Sequence, residues 1–142
     1  MERKKYKNQR MGSEEKHFLV KRSQIPAAGK GLFTTKEIKR GQKIVEYFGK
    51  IKRWDELKYK ALNNRYILYV DKNHVIDAKG QKDCYAIYAN DAKGPGKHGK
   101  FKNNSTYITY GKRVFITAKR KIAAGEEIFV GYGKEYWENI EL

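Results

Sequence analysis

Two glycines flank Lys30 in a loop between two segments that favour strands, Gly29-Lys30-Gly31. Because glycine lacks a Cβ atom, such a loop lets the main chain approach a ligand closely, but the same residues also form tight turns that bind nothing. The third glycine and the following helix of a dinucleotide-binding fingerprint are missing here. By itself the loop favours a turn, and its context must decide whether it serves a cofactor.

Tyrosine is the second residue type that could form a site, since the chain contains 11 of them. Tyr47, Tyr107 and Tyr132 lie on separate segments, each near the end of an expected strand. Tyrosine favours strands, so ordinary sheet packing explains most single tyrosines. Residue type alone leaves both interpretations open for these three.

Neither cysteine chemistry nor a metal site is indicated. Cys84 is the single cysteine, and no local Cys/His signature accompanies it, so a packed side chain is favoured over a nucleophile. Asp77, Asp83, Glu126 and Glu127 are the carboxylates that could be paired for acid-base or metal chemistry. We reject that use because no His/Asp/Glu cluster has metal-ligand spacing, and we expect no metal.

Three motifs follow one another in the order and approximate spacing of one enzyme family. They are Ile25-Pro-Ala-Ala-Gly-Lys-Gly-Leu-Phe33, Glu46-Tyr-Phe-Gly49, and a Gly-Glu-Glu turn whose following strand ends in Val130-Gly-Tyr-Gly133. With them, residues 18 to 137 resemble the SET-domain protein-lysine methyltransferases. The form is a minimal one, like bacterial or viral members, without the cysteine-rich flanks of many eukaryotic relatives. The resemblance implies small curved sheets and a C-terminal segment that passes through a preceding loop, a pseudoknot.

The resemblance also implies roles for individual residues. Tyr132 would be the catalytic tyrosine, and Tyr47 and Tyr107 would line the channel that admits the substrate lysine. The residues expected to hold S-adenosylmethionine, partly through main-chain groups, are Gly29, Lys30, Gly31, Leu32, Tyr66, Asn90, Asp91 and Trp137. A second interpretation of Trp137, as a C-terminal core anchor, is equally favoured.

One motif departs from the family pattern. Most SET domains have Asn-His-Ser where this chain has Asn90-Asp91-Ala92, and the following asparagine, matched by Asn104, comes after a longer loop of glycines and lysines. Asp91 replaces a neutral partner with an anion, which raises the question of whether adenine recognition is unchanged. A subfamily variant is favoured over a catalytically inactive SET scaffold.

The implied chemistry requires the protein mainly to place the lysine amine and the methyl donor correctly. Methyl transfer from a sulfonium to an amine requires a neutral amine, and lysine with an ordinary pKa of about 10.4 pays roughly 4 kcal/mol for neutrality at pH 7. An apolar aromatic channel and a nearby sulfonium charge both lower the pKa of the amine. The remaining barrier falls through alignment, so Tyr132 need not be ionised.

Short strands separated by turns must position these residues, and the chain is therefore expected to be mostly β with short helices. Two hairpins are expected, one with its turn at Asp71-Lys-Asn-His74 and one with Gly111 at the turn. Apolar spacing predicts a helix over Trp54–Leu62, and a short helix is expected within Cys84–Asn90. The other expected elements are strands at 18–21, 31–35 and 44–48, a loop at 23–31 and a surface loop at 91–103.

The 142 residues suit one domain of ordinary size. Residues 1–16 carry many Lys, Arg, Glu, Asn and Gln residues without an apolar period, which indicates a basic flexible arm. Residues 17–142 are expected to form a single SET-like catalytic domain. The sequence shows neither a membrane span nor a secretory signal, so an intracellular protein is expected, in cytoplasm or nucleoid if bacterial and in the nucleus or chromatin if eukaryotic or viral.

The charge of +16 raises the question of partners. It would draw the protein toward DNA or RNA, although many small basic proteins only carry a solvated surface. The expected substrate is a lysine-bearing basic protein, such as a histone, a histone-like or a ribosomal protein, and a homodimer is compatible with the sequence. The main alternative is a basic β-rich nucleic-acid-binding module, since aromatic residues are interleaved with lysines.

Overall fold

The structure is a computed structural model, which describes residues 17–57, 64–93 and 100–132. Its main elements are nine short β-strands, two of them only two or three residues long, and two short helices. In chain order the strands are β1 (Phe18–Arg22), β2 (Lys30–Thr34), β3 (Lys43–Tyr47), β4 (Lys50–Lys52), β5 (Ile67–Asp71), β6 (His74–Asp77), β7 (Ser105–Tyr110), β8 (Arg113–Ala118) and β9 (Glu127–Ile128). The helices are α1 (Trp54–Leu57) and a 3-10 helix (Tyr85–Tyr88). The expected mostly β chain with short helices is confirmed.

The strands form three antiparallel sheets of three strands each, named A, B and C here. Sheet A has the order β1-β2-β9, sheet B the order β3-β8-β7 and sheet C the order β4-β6-β5. Sheets A and B thus each combine strands that are far apart in sequence. Local hairpins alone cannot make this arrangement, which depends on long-range pairing.

Both expected hairpins are present. β5 and β6 are joined through Lys72-Asn73, where the Asn73 amide donates to the Asp71 carboxylate at 2.8 Å. β7 and β8 are joined through Gly111-Lys112, and Gly111 has a φ of +64°. A two-residue hairpin turn needs positive φ, which glycine adopts without a steric penalty. The turn residues therefore set the register of β7 against β8.

The main apolar core takes side chains from all three sheets, and a second, smaller cluster contains Ile25, Ala92 and Phe129. Each sheet turns alternate side chains inward, as the two-residue period of a strand requires. The buried residues of the core include Leu32 from sheet A, Val45, Val114 and Ile116 from sheet B, and Ile76 from sheet C. Packing against this core fixes how the sheets face one another.

The C-terminal segment 127–132 lies between two earlier parts of the chain. It pairs with β2 through β9, and beyond β9 Phe129 forms a parallel bridge with Asn90 and Val130 one with Ser105. The segment is thus enclosed by the start and the end of the connection that runs from Asn90 to Ser105. This arrangement agrees with the expected pseudoknot.

Some expectations concern residues outside the described ranges. The arm at 1–16, residues 94–99 of the surface loop and Trp137 are among them. The helix expected over Trp54–Leu62 is present as α1, which covers Trp54–Leu57, and residues 58–63 are outside the described part of the chain. The strand β4 was not expected, because its three residues are too few to show an alternating pattern.

Candidate active site

Asn104 fastens the C-terminal segment in place. Its side chain is fully buried, its Oδ1 accepts from the Phe129 amide at 3.0 Å, and its Nδ2 donates to the Glu127 carbonyl at 2.9 Å. The Asn104 amide also donates to the Phe129 carbonyl at 3.0 Å. A carboxamide is suited to this task because it both donates and accepts, as a neighbouring strand would.

Tyr132 is held at both its main chain and its hydroxyl. Its amide donates to Asp91 Oδ2 at 2.9 Å, and its hydroxyl donates to the Ala89 carbonyl at 2.6 Å. The ring is half-buried against the core. Because two anchors act on one residue, the position of the phenol is well defined.

Asp91 connects Tyr132 to two neighbouring residues through hydrogen bonds. It is 7% exposed, and its Oδ1 accepts from the Lys93 amide at 2.8 Å and from Asn103 Nδ2 at 2.9 Å, while its Oδ2 accepts from Tyr132. Asn103 in turn accepts from the Ala92 amide through its Oδ1 at 2.8 Å. Both carboxylate oxygens are thus engaged by donors of the protein itself. The geometry indicates that Asp91 positions the main chain of Tyr132.

Tyr107 and Tyr132 both pack against the main core. Ser105 and Val130 form a parallel bridge, and Tyr107 and Tyr132 each follow that bridge by two residues. Tyr107 is half-buried, and its ring meets the Tyr47 ring edge-on with 6.0 Å between centroids. Three tyrosines from distant segments are therefore brought to one region.

Tyr47 supports this region from beneath. It is 5% exposed, and its hydroxyl donates to the Tyr66 carbonyl at 2.8 Å. In the structure, Tyr47 thus holds the ring of Tyr107 and the main chain of Tyr66, and its expected place in the channel wall stays a prediction. The Tyr66 residue itself is 39% exposed and remains available for contact.

Asp77 fixes the turn that precedes Tyr66. Its carboxylate accepts from Lys52 Nζ at 2.8 Å and from Asn64 Nδ2 at 3.1 Å, and Asn64 Oδ1 accepts from the Tyr66 amide at 2.9 Å. Burial raises the pKa of Asp77, but the hydrogen bonds from Lys52, the Lys79 amide and Asn64, together with the charge of Lys52, hold that pKa below its ordinary value. Asp77 is therefore an ionised anchor.

The glycine loop meets Asn90. Asn90 Nδ2 donates to the Lys30 carbonyl at 2.9 Å, and Gly29 and Lys30 are exposed. Gly29 has a φ of +75°, which L-residues with a side chain rarely adopt. The sequence-predicted cofactor residues Gly29, Lys30 and Asn90 are thus side by side.

Gly31 has a different reason to be glycine. A Cβ atom at this position would overlap the Glu127 carboxylate and stand 3.1 Å from the Ser23 Cβ. Glu127 is 1% exposed, and its carboxylate accepts from the Ser23 hydroxyl at 2.6 Å and from the Gln24 amide at 2.9 Å. The missing Cβ makes room for a structural carboxylate, which closes the loop onto β9. The structural role expected for Glu127 agrees with this geometry.

Leu32, the last of the loop residues expected at the cofactor, belongs to the core. It is fully buried in the core, between β1 and β9, where Val20 and Ile128 are its register partners. In this arrangement Leu32 has no surface with which to touch a ligand. Gly31 is also buried, so the accessible part of the loop ends at Lys30.

A cleft of about 490 Å³ adjoins the exposed part of the loop. Its lining residues are Arg22, Ser23, Ile25, Pro26, Ala27 and Gly29. The volume is in the range of small-molecule sites. Apolar side chains, exposed main chain and one guanidinium suit a ligand that combines a flat ring system with a carboxylate. The cleft is therefore a candidate ligand site beside the glycine loop.

No three His, Cys, Asp or Glu side chains of residues 17–57, 64–93 and 100–132 are grouped closely enough to hold a metal ion. In the same ranges, no helix has the length and apolarity needed to cross a membrane.

Sequence reasoning missed the tasks of Ala89 and Asn103. Ala89 acts through its carbonyl group, which residue type does not reveal. For Asn103 the sequence contains one signal, the pair of asparagines directly before β7. Both asparagines are buried, which is uncommon for this residue type.

The fold and the residues around Tyr132 define a class of protein. It is a β-rich domain with a knotted C-terminal segment and a tyrosine site beside an exposed glycine loop. The family model described as "SET domain" matches residues 29–133. The chain therefore belongs to the SET domain family. The methyltransferase domain of human PR domain-containing protein 2 is similar in fold, with a TM-score of 0.61, 23% identity, and coverage of 83% of this chain and 78% of that one.

Curated relatives are similar in sequence as well. Histone-lysine N-methyltransferase EZH2 of Chaetomium thermophilum is 28% identical over 129 residues, which is 85% of this chain and 8% of that protein. N-lysine methyltransferase KMT5A-B of Xenopus laevis is 26% identical over 132 residues, 86% of this chain and 38% of that protein. The chain thus spans well under half the length of these relatives.

Proposed function

We propose that this chain transfers a methyl group from S-adenosylmethionine to the side-chain amine of a lysine in a protein. One observation carries the proposal: Tyr132 is hydrogen-bonded to Ala89 and Asp91, the residues on either side of Asn90, and Asn90 is hydrogen-bonded to the Lys30 carbonyl of the exposed glycine loop. Family membership and the named methyltransferase relatives support it.

The exposed main chain of Gly29 and Lys30, the Asn90 side chain and the adjoining cleft are the groups that would hold S-adenosylmethionine. When bound, this molecule supplies an electrophilic methyl group on a positively charged sulfur. Trp137 stays a candidate for covering the adenine or for anchoring the C-terminus, and it lies outside the described residues.

The task of the Tyr132 hydroxyl follows from its hydrogen bond. Its single proton is given to the Ala89 carbonyl, so toward a substrate the oxygen can only accept. An accepting oxygen holds an amine by one of its N–H groups and leaves the nitrogen lone pair pointing elsewhere. Tyr132 would therefore orient the amine without removing its proton.

The ring of Tyr107 would contribute an apolar wall. A lysine side chain that passes along this half-buried ring loses water from its amine, which favours the neutral form needed for attack. Tyr47 keeps the ring in place through the edge-on contact. Alignment and desolvation then carry the catalysis, with no strong base.

The proposed substrate is a lysine of a basic protein such as a histone. Two relatives carry lysine methyltransferase names, and one of these names specifies histones. A chain of charge +16 repels a free lysine-rich tail, so we propose that the substrate is presented together with a polyanion such as DNA or RNA. Nuclear or nucleoid residence is part of the same proposal, and so is a homodimer.

Calorimetric titration with S-adenosylmethionine and a methyl-transfer assay on core histones test the proposal. Tyr132→Phe should bind S-adenosylmethionine as the parent chain does and lose most of its turnover. Asn90→Ala should weaken S-adenosylmethionine binding. The matched control is Tyr69→Phe, since Tyr69 is 55% exposed on sheet C and should keep both properties.

Two results would count against the proposal. If folded protein, free of carried-over cofactor, does not bind S-adenosylmethionine, the methyltransferase function is wrong. Binding without turnover on any lysine substrate tested would favour the inactive scaffold.

A further inference from the structure

Sheet B has a second face that the proposed methyltransferase site does not use. On β8, Val114 and Ile116 point into the core, so Arg113, Phe115 and Thr117 point the other way. Through the strand register, this outer face of sheet B consists of Lys43, Glu46, Thr106, Ile108, Tyr110, Arg113, Phe115 and Thr117.

Apolar and aromatic groups of the outer face are open to solvent. Tyr110 is 38% exposed and Ile108 36% exposed, and Phe115 is partly exposed between them and β3. The Tyr110 and Phe115 rings meet nearly edge-on, with 5.7 Å between their centroids and an angle of 73° between their planes. Such rings offer π-faces to a flat partner.

Cations already lie against these rings. Lys43 Nζ is 4.0 Å from the centroid of Tyr110 and 5.0 Å from that of Phe115. The Arg113 guanidinium stands 5.1 Å from the Phe115 centroid. The outer face thus combines aromatic rings with positive charge in one small area.

Among the residues of the outer face, Glu46 is the acidic one. Glu46 is 3% exposed, and Arg113 binds its carboxylate through two nitrogens, at 3.1 and 2.9 Å. Lys43 is exposed and Lys112 is exposed at the adjoining turn. The accessible charge of the face is therefore positive.

We propose that the outer face of sheet B binds single-stranded nucleic acid. Bases would stack on Tyr110 and Phe115, while Lys43, which is flexible and exposed, would turn from the ring faces to a phosphate. The charge complementarity favours a polyanion, and the exposed rings favour one that has unpaired bases over an acidic peptide or a duplex. Because Tyr107 faces the opposite side of β7 from Tyr110, this surface is separate from the proposed active site.

Fluorescence anisotropy with a labelled oligothymidylate of about 12 nucleotides measures this binding. Tyr110→Ala should weaken it roughly five-fold or more, the low end for loss of one stacked base. Tyr110→Phe keeps the ring and should bind as the parent does. Lys43→Gln should lower the slope of log K against log salt by about 0.7, the value for one phosphate contact of a single strand.

Two matched controls distinguish binding at the outer face from general effects of positive charge and of exposed aromatic surface. Lys21→Gln makes the same charge change at a lysine that also lies over a ring, with its Nζ 4.4 Å from the Phe33 centroid on sheet A. Tyr69→Ala removes an exposed tyrosine from sheet C. Both should bind within about two-fold of the parent, well inside the loss expected for one stacked base.

Several results would overturn the proposal. They are no binding by the parent chain at low salt, equal losses for Lys21→Gln and Lys43→Gln, and unchanged binding in Tyr110→Ala. Full displacement by polyglutamate with no effect of Tyr110→Ala would show an acidic-peptide surface, and stronger binding of a duplex would show a backbone reader. Tyr132→Phe should bind the oligonucleotide normally, so failure of the methyltransferase proposal is distinguishable from failure of this one.

Discussion

Replacing Asp91 by asparagine tests whether a buried carboxylate positions Tyr132, the proposed catalytic residue. The Asp91 carboxylate receives three donors, from Tyr132, Lys93 and Asn103. Asparagine offers one acceptor oxygen, so its NH₂ group must face a donor on one side. If the oxygen keeps Lys93 and Asn103, the Tyr132 amide loses its anchor.

The magnitude follows from the hydrogen bonds that are lost. A hydrogen bond to a buried charged group contributes about 1.5 to 3 kcal/mol. We expect Asp91→Asn to lower the free energy of unfolding by about that amount. A catalytic residue that shifts by about 1 Å can cost a hundred-fold in rate, so kcat for lysine methylation should fall about ten- to a hundred-fold. The S-adenosylmethionine Kd should change less than about three-fold, because both oxygens of Asp91 are engaged within the protein.

The assay compares kcat, Kd and urea unfolding in a double-mutant cycle with Asn103→Asp. Alone, Asn103→Asp places two carboxylates against each other and should destabilise the protein. In the Asp91→Asn/Asn103→Asp double variant, the amide introduced at position 91 donates to the carboxylate introduced at position 103, and the amide oxygen again accepts from Tyr132. The Lys93 amide, which donates to the same Asp91 oxygen as Asn103, loses its acceptor, so stability recovers less than kcat. The double variant should therefore recover most of kcat. A purely structural loss would lower stability without this recovery of rate.

Two outcomes would refute the reasoning. If Asp91→Asn keeps the parent kcat, the anchor on the Tyr132 amide does not matter for turnover. If the double variant is as slow as the product of the two single effects, the hydrogen-bond geometry is not what Asp91 supplies, and its charge must act in another way.

Three further predictions concern stability, measured by urea unfolding. Gly31→Ala should destabilise by about 1 to 3 kcal/mol, since its Cβ overlaps the Glu127 carboxylate, and an unchanged midpoint would disprove the overlap. Asn104→Ala should cost at least about 2 kcal/mol, because two buried main-chain groups lose their partners; a smaller loss would mean that the C-terminal segment is held elsewhere. Asp77 has a lowered pKa when folded, so its stabilisation is present above its ordinary pKa and lost as pH falls below about 4. The stability difference between the parent and Asp77→Asn should therefore be constant near neutral pH and shrink in acid, and a difference that grows in acid would contradict the lowered pKa.

The sequence by itself determined the class of fold and the family. Short alternating strands, Gly111 at a two-residue turn and the motifs around Gly29 and Tyr132 are local signals, carried by neighbouring residues. They predicted the two hairpins and the SET resemblance, which the structure and the family model confirm. Local signals suffice here because turn chemistry and strand alternation act over a few residues.

Only the tertiary structure decided what the polar residues of the site contact. Asp91 meets Tyr132, and Gly31 meets Glu127, across long stretches of sequence. Leu32 belongs to the core because β9 covers it. Such contacts depend on strand register and on the threading of the C-terminal segment, and a change of one residue in register would turn each side chain to the other face. No local pattern encodes long-range register. That register places the Asp91 carboxylate against the main-chain amide of Tyr132, a contact that the sequence did not predict.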